Sequence, residues 1–216
     1  MKTILLIVLI GCSSSVFCQG VNYSFVFLNK KTDAAQIPKE ELDKIMEGHM
    51  ANINRLAEEG KLIAAGPFEG GGGIFIFNTT STEDAKQWLS TDPGVKANRW
   101  NVEILPYRPR VGSVCAVKEP YEMVTYHFIR YTSSTGNSTS KDSPKINSKH
   151  DEHLKQLGKK GNVITEATFG ETNEGILILN GELPKVEIES DPAVVEGLLT
   201  VDIKKLWIAK GAFCEK

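Results

Sequence analysis

Two short stretches of this chain place a histidine where a helix should be apolar. In "GHMANINRLAEEGKLIAAGPF" (Gly48 to Phe68), Leu42, Ile45, Met46, Ile53 and Leu56 share one arc of a helix, and His49 sits at its centre. In "KHDEHLKQLGKKGNVITEATF" (Lys149 to Phe169), His150 precedes Leu154 and Leu157 at the same spacing. Each copy of the pattern is followed by an Asp-Pro pair, Asp92-Pro93 and Asp191-Pro192. A carboxylate beside an imidazole fixes its tautomer and favours its protonated form. The ring can then take and return a proton near neutral pH. His49 with Asp92, and His150 with Asp191, are therefore candidate acid–base pairs. Each residue also has a plainer reading. A core histidine needs only one satisfied hydrogen bond, and Asp followed by Pro is a common way to start a helical turn.

Other groups are weaker candidates. Glu103 and Asp202 stand at matching places on two apolar strands, with Val102, Ile104, Val201 and Ile203 pointing to the opposite face. If the carboxylate face is an interior, the two line a pocket; otherwise they are solvated strand positions. His127 in "TYHFIRY" is either a pocket residue or an ordinary strand histidine with its hydrogen bonds met. His150 and His153 share a helix face, but the i, i+4 pair with an intervening Glu that a zinc protease uses is absent, so no metal is expected. No motif calls for a cofactor. "EGGGG" (Glu69 to Gly73) precedes a strand and reads as a hairpin turn, not a phosphate loop.

These residues recur because much of the chain does. His49 and His150 lie 101 positions apart, and Leu56, Gly60, Ile63 and Phe68 meet Leu157, Gly161, Ile164 and Phe169 at that spacing. "GIFIFN" (Gly73 to Asn78) meets "GILILN" (Gly175 to Asn180). Gly112 and Cys115 then meet Gly211 and Cys214. The expectation is two units, 19–116 and 117–216, the second more divergent. Each reads as strand, helix, hairpin, helix, strand: the βαββαβ ferredoxin-like order. Pro38 opens the first helix, Ser81 or Thr82 caps the second, and Trp88 and Leu89 face inward. "TSSTGNSTSKDS" reads as a polar surface loop. "SFVFL", "GIFIF" and "GILIL" are apolar on both faces, so something must cover the second face of each sheet. The other unit is the nearest cover, which predicts an α+β fold of two ferredoxin-like units packed face to face as an internal dimeric α+β barrel.

The helix with His49, "LAEEGKLIAAGPF", "DPGV" and the strand ending "VEILPYRP" together resemble the YCII-related (YciI-like) family of the dimeric α+β barrel superfamily, over most of Tyr23 to Arg110. The second unit keeps His150 and "SDP" but has "TEAT" (Thr165 to Thr168) where the first has "AAGP". The resemblance implies a site at His49 and Asp92, and by carry-over at His150 and Asp191. Relatives of this type include a dehydrochlorinase of a chlorinated hydroquinone, and structural cousins include muconolactone isomerases. This implies lyase or isomerase chemistry on a small cyclic or aromatic molecule held between the sheets. The alternative is a non-catalytic small-molecule-binding module or an envelope accessory protein. Loss of "AGP" suggests that the two sites are no longer equal, since a fused pair lets one site decay to a structural role while the other stays active.

Composition bounds the setting. The 216 residues are 41% hydrophobic and 24% charged, with a formal net charge of -2, ordinary values for a globular protein. No basic stripe marks a nucleic-acid partner. "MKTILLIVLI" followed by "GCSSSVFCQG" reads as a signal peptide over residues 1–18, cut between Cys18 and Gln19, too short to span a membrane. "LIGC" resembles a lipobox, with Cys12 as the alternative lipid anchor. Either route exports the protein, to the periplasm or beyond. In an oxidising compartment Cys115 and Cys214 can form a disulfide; two separate buried thiols are the alternative. The expected partner is a small-molecule ligand, and further self-association is left open.

Overall fold

The computed structural model describes residues 23–134, 143–160, 162–170 and 173–214. The expected signal peptide and the centre of the Ser/Thr-rich stretch lie outside the described residues. The first half runs β1 (Tyr23–Lys30), α1 (Lys39–Glu58), β2 (Leu62–Pro67), β3 (Gly73–Phe77), α2 (Thr82–Leu89), α3 (Pro93–Lys96), β4 (Trp100–Val111) and β5 (Ser113–Val114). The second half repeats the order with β6 (Met123–Ser133), α4 (Ser143–Lys160), β7 (Val163–Phe169), β8 (Gly175–Leu179), α5 (Lys185–Glu189), α6 (Pro192–Val195), β9 (Leu199–Ala209) and β10 (Phe213–Cys214).

Local signals set the helix starts. Glu40 and Glu41 occupy the first turn of α1 and Arg55 the last, complementing the helix dipole. Pro38 sits at the N-cap of α1, one place before the expected first turn. Ser81 caps α2, its hydroxyl accepting from the Asp84 N–H at 3.1 Å. Leu89 is buried, whereas Trp88 is only partly so. The α2 counterpart in the second half is a short helix, because Pro184 delays its start until Lys185.

The eight long strands form one sheet in the order β2-β3-β1-β4-β7-β8-β6-β9. The halves are thus two four-stranded sheets joined edge to edge at β4 and β7, where Tyr107 pairs Phe169. The remaining edges meet at a bridge between Phe68 and Leu206 and close the barrel. The two seams use equivalent bonds: Gly170 N–H donates to Pro106 O at 3.1 Å, and Glu69 N–H to Lys205 O at 2.9 Å. Gly66 is required at the second seam, since a Cβ there would lie 2.5 Å from Trp207 O.

Strands apolar on both faces bury both. The inner face fills the barrel with Phe25, Phe27, Tyr107, Phe128 and Phe169. Phe25 lies 4.8 Å from Phe27, 5.4 Å from Phe169 and 6.4 Å from Phe128 between ring centroids. The outer face carries the helices. Val26, Leu28, Phe75 and Phe77 pack under α1 and α2 in the first half. Ile129, Tyr131, Leu177 and Leu179 lie in the corresponding layer of the second half, with Leu154 and Leu157 of α4. One end of the barrel is covered by the β5–β10 ribbon, where Val114 pairs Phe213. There Cys115 and Cys214 form a disulfide with Cα atoms 6.0 Å apart.

Candidate functional site

His49 reaches the site from the middle of α1, and Asp92 from the turn before α3. His49 Nδ1 lies 2.8 Å from Asp92 Oδ2. Asn52 Nδ2, one turn further along α1, donates to the same oxygen at 3.1 Å. The other oxygen, Oδ1, accepts from the backbone N–H groups of Gly94 at 2.9 Å and Val95 at 3.1 Å. A carboxylate only accepts, so the network assigns the proton to His49 Nδ1 and leaves Nε2 as the basic atom of the neutral ring. The imidazole stacks on Phe75 at 5.7 Å and meets Trp100 at 4.9 Å. His49 is 7% exposed and Asp92 fully buried. Gly94 has no room for a side chain, because a Cβ would fall 2.3 Å from the Trp100 ring. The helix start and the contact to histidine are thus two uses of one carboxylate.

Asn52 extends this network. Its Oδ1 accepts from Arg55 Nη2 at 2.8 Å and lies 2.9 Å from Thr91 Oγ1. Asn52, Arg55, Thr91, Phe75 and Trp100 were not singled out in the sequence. The available signal was Asn52, a second polar residue on the arc of His49.

In the second half His150 Nδ1 lies 2.6 Å from Asp191 Oδ2, and the Ala193 N–H donates to Asp191 Oδ1 at 2.8 Å. The surroundings differ. His153 stands where the first half has Asn52, and its Nε2 is buried without a partner. Leu177 and Leu199 replace Phe75 and Trp100. The strand registers put Tyr131 at the place of Leu28, and Glu166 at that of Ala65. The Tyr131 ring meets His150 edge-on at 5.1 Å, and its hydroxyl is buried without a partner. Burial, then the charges of Asp191 and Glu166, push the Tyr131 phenol well above its ordinary range, so it stays a neutral donor. Glu166 pairs with Arg110 at 2.5 Å, and Arg110 also holds Asp151 at 2.9 Å. Nothing in the residue pattern marks Tyr131, Glu166 or Arg110 as members of a site.

The remaining candidates stand apart from both pairs. Glu103 faces the open end of the barrel, where it accepts from Arg130 Nη2 at 2.7 and 2.8 Å. Arg130 lies 3.8 Å over the Phe27 ring. Asp202, opposite Arg130 on β9, is more exposed and pairs with Lys204 at 2.9 Å. These carboxylates therefore ring a barrel mouth rather than join a histidine. His127 points outward from β6, opposite Lys205. Its Nδ1 is buried without a partner, so it is neither an interior residue nor a satisfied strand histidine.

One expectation changes outright. A substrate between the sheets cannot meet His49 or His150, because both histidines lie in the helix-covered layers and the barrel interior is filled by aromatic rings. The helical arc reported burial, but the layer that buries it is a property of the whole barrel.

Two βαββαβ halves closing one eight-stranded barrel, with helices outside, define a dimeric α+β barrel. Residues 24–108 match the sequence profile of the YCII-related domain. Solved structures with a similar fold include a monooxygenase candidate from Lactobacillus acidophilus NCFM, at 14% identity, 87% coverage of this chain and 93% of that one, TM-score 0.43. Another monooxygenase candidate, FN1347 from Fusobacterium nucleatum, has 10% identity, 92% and 96% coverage, and a TM-score of 0.47. The chlorite dismutase candidate TA0507 has 9% identity, 88% and 95% coverage, and a TM-score of 0.49. These likenesses concern the fold and lend this chain no activity. No curated protein sequence matches it. Among the described residues no group of three or more His, Cys, Asp and Glu is arranged to hold a metal ion. Among them, too, no helix is long and apolar enough to cross a membrane.

Proposed function

We propose that this is an exported small-molecule protein whose two His–Asp pairs perform acid–base chemistry of lyase or isomerase type. The second half is read as a diverged copy of the first. The observation that carries the chemistry is the orientation of both imidazoles: each presents Nδ1 to a buried carboxylate, which leaves Nε2 to accept a proton. As the ring becomes imidazolium, the carboxylate stabilises its charge. The substrate would lie against the helix-covered layer, not inside the barrel. The disulfide supports an oxidising compartment, as an exported protein requires.

A test needs no natural substrate. Exchange of the α-protons of cyclohexanone in D2O, followed by NMR, reports proton abstraction directly. The full mature chain is expected to speed exchange, and the double variant His49→Gln, His150→Gln to lose at least tenfold of that rate while remaining folded. Exchange no faster than buffer, or unaltered in the folded double variant, would sink the acid–base reading.

A second reading has its own support. Asp92 is fully buried and accepts from α3 as well as from α1, so the first pair also clamps those two helices together. In that reading the family site is a packing device, and the double variant loses stability rather than rate.

A further inference from the structure

We infer that the second half holds its own binding site for a compact neutral carbonyl compound, with Tyr131 as the donor to the carbonyl oxygen and His150 beside it. Proton transfer in this site rests on the acid–base reading above; binding does not.

The argument begins with unpaired atoms. A buried hydroxyl without a partner costs roughly 1–3 kcal/mol, and proteins rarely leave one so. On the outer face of the second half three side chains keep a buried unpaired polar atom, the Tyr131 hydroxyl, His153 Nε2 and His127 Nδ1, and the first two neighbour His150. Tyr131 is 2% exposed, so bulk solvent does not satisfy it. Its ring meets His150, which Asp191 orients, and His153 lies one turn along α4 from His150. The first half offers an internal control. At the matching places it has Leu28 for Tyr131, Ala65 for Glu166 and Asn52 for His153, and both ends of the Asn52 amide are bonded. The same backbone can therefore close this layer without an unpaired group, and the second half does not.

The charges select the ligand. Tyr131 lies within the influence of the Asp191 and Glu166 carboxylates, which repel an anion. The cation in reach, Arg110, is already occupied by Glu166 and Asp151. A neutral acceptor oxygen is what a phenol held neutral can serve. The rest of the ligand meets aliphatic surface from Leu154, Leu157, Leu177 and Leu199. In the reaction, the Tyr131 O–H donates to the carbonyl oxygen, His150 Nε2 removes the α-proton, and the electron pair moves to give the enolate. Return of the proton from the imidazolium restores the ketone or its isomer, with no change in oxidation state.

The experiment uses the full mature chain labelled with 13C-tyrosine and 15N-histidine, titrated with cyclohexanone. Saturable shifts of the Tyr131 and His150 signals are expected, with at least fivefold weaker binding in Tyr131→Phe. A thermal melt establishes that this variant is folded. Binding without α-proton exchange supports the site and counts only against proton transfer. If neither signal moves, or Tyr131→Phe binds cyclohexanone equally well, the inference is overturned. It is equally overturned if the layer holds ordered water only, so that Tyr131→Phe loses a satisfied hydrogen bond and melts lower while the probe shifts nothing.

Discussion

The two halves carry the same His–Asp pair on nearly the same backbone and differ in what surrounds it. Asp92 collects hydrogen bonds from His49, Asn52, Gly94 and Val95, and His49 is enclosed by Phe75 and Trp100. Asp191 is met by His150 and Ala193, and the nearby Tyr131 and His153 each keep an unpaired atom. Saturation rigidifies the first site, because both Asp92 oxygens and both ends of the Asn52 amide are bonded within the protein. The second site retains bonding capacity in a layer from which solvent is excluded. The sequence differences between the halves, taken alone, suggest only that the two sites are unequal; in three dimensions the second half has a phenol, a carboxylate and a second imidazole where the first has Leu28, Ala65 and Asn52.

The largest expected effect concerns what holds the halves in register. The disulfide joins equivalent positions across a separation of 99 residues. The chain-entropy model credits closure of a loop of that length with about 4–5 kcal/mol, and native strain can reduce this. Double substitution Cys115→Ser, Cys214→Ser should lower stability by several kcal/mol in urea denaturation. The wild type under reducing conditions should match the variant. If oxidised, reduced and substituted proteins share one urea midpoint, the bond does not constrain the chain in solution.

Next comes the asymmetry between the aspartates. Asp92→Ala strands four donors and should cost about 3 kcal/mol; Asp191→Ala strands two and should cost about 2 kcal/mol. Urea melts of the two variants rank them. Equal losses would show that Asn52 adds nothing to the first site, and the contrast between a saturated and an unsaturated pair would lose its energetic basis.

Much of this architecture was legible before any coordinates. "GIFIF" and "GILIL", apolar on both faces, demand cover on both, and the barrel with outer helices provides it. His49 and His150 announce themselves as polar residues on apolar arcs. Periodicity, however, says that a face is buried and not which layer buries it. That is why the pairs were expected beside the barrel interior and lie outside it. Tyr131 hid in "FIRY" because an aromatic on a strand is ordinary; only its unpaired hydroxyl beside His150 sets it apart. Arg130 hid similarly. The register puts it at the place of Phe27, and its pairing with Glu103 depends on the two halves meeting.

The smallest expected effect separates the halves by pH. Ser24 and His127 occupy equivalent registers, opposite Phe77 and Leu179. Ser24 donates to Thr79 O at 3.0 Å and does not titrate. His127 is held below its ordinary range by burial, which Glu182 opposes and to which Lys205 adds a smaller push in the same direction. Above the unfolded value of about 6.5, both states are neutral at this position and it contributes nothing to pH dependence. As pH falls through 6.5 the unfolded chain takes a proton before the native state does, so stability falls until the native value is passed. His127→Gln should therefore lose less stability than the wild type between pH 7.5 and pH 5. Both proteins share every other residue, so the difference between them isolates position 127. Half-exposure of the ring keeps the difference small, and urea midpoints at the two pH values are sensitive enough to read it. A His127→Gln protein with an unchanged pH slope would mean that His127 finds a partner in solution, leaving the two halves alike at this position.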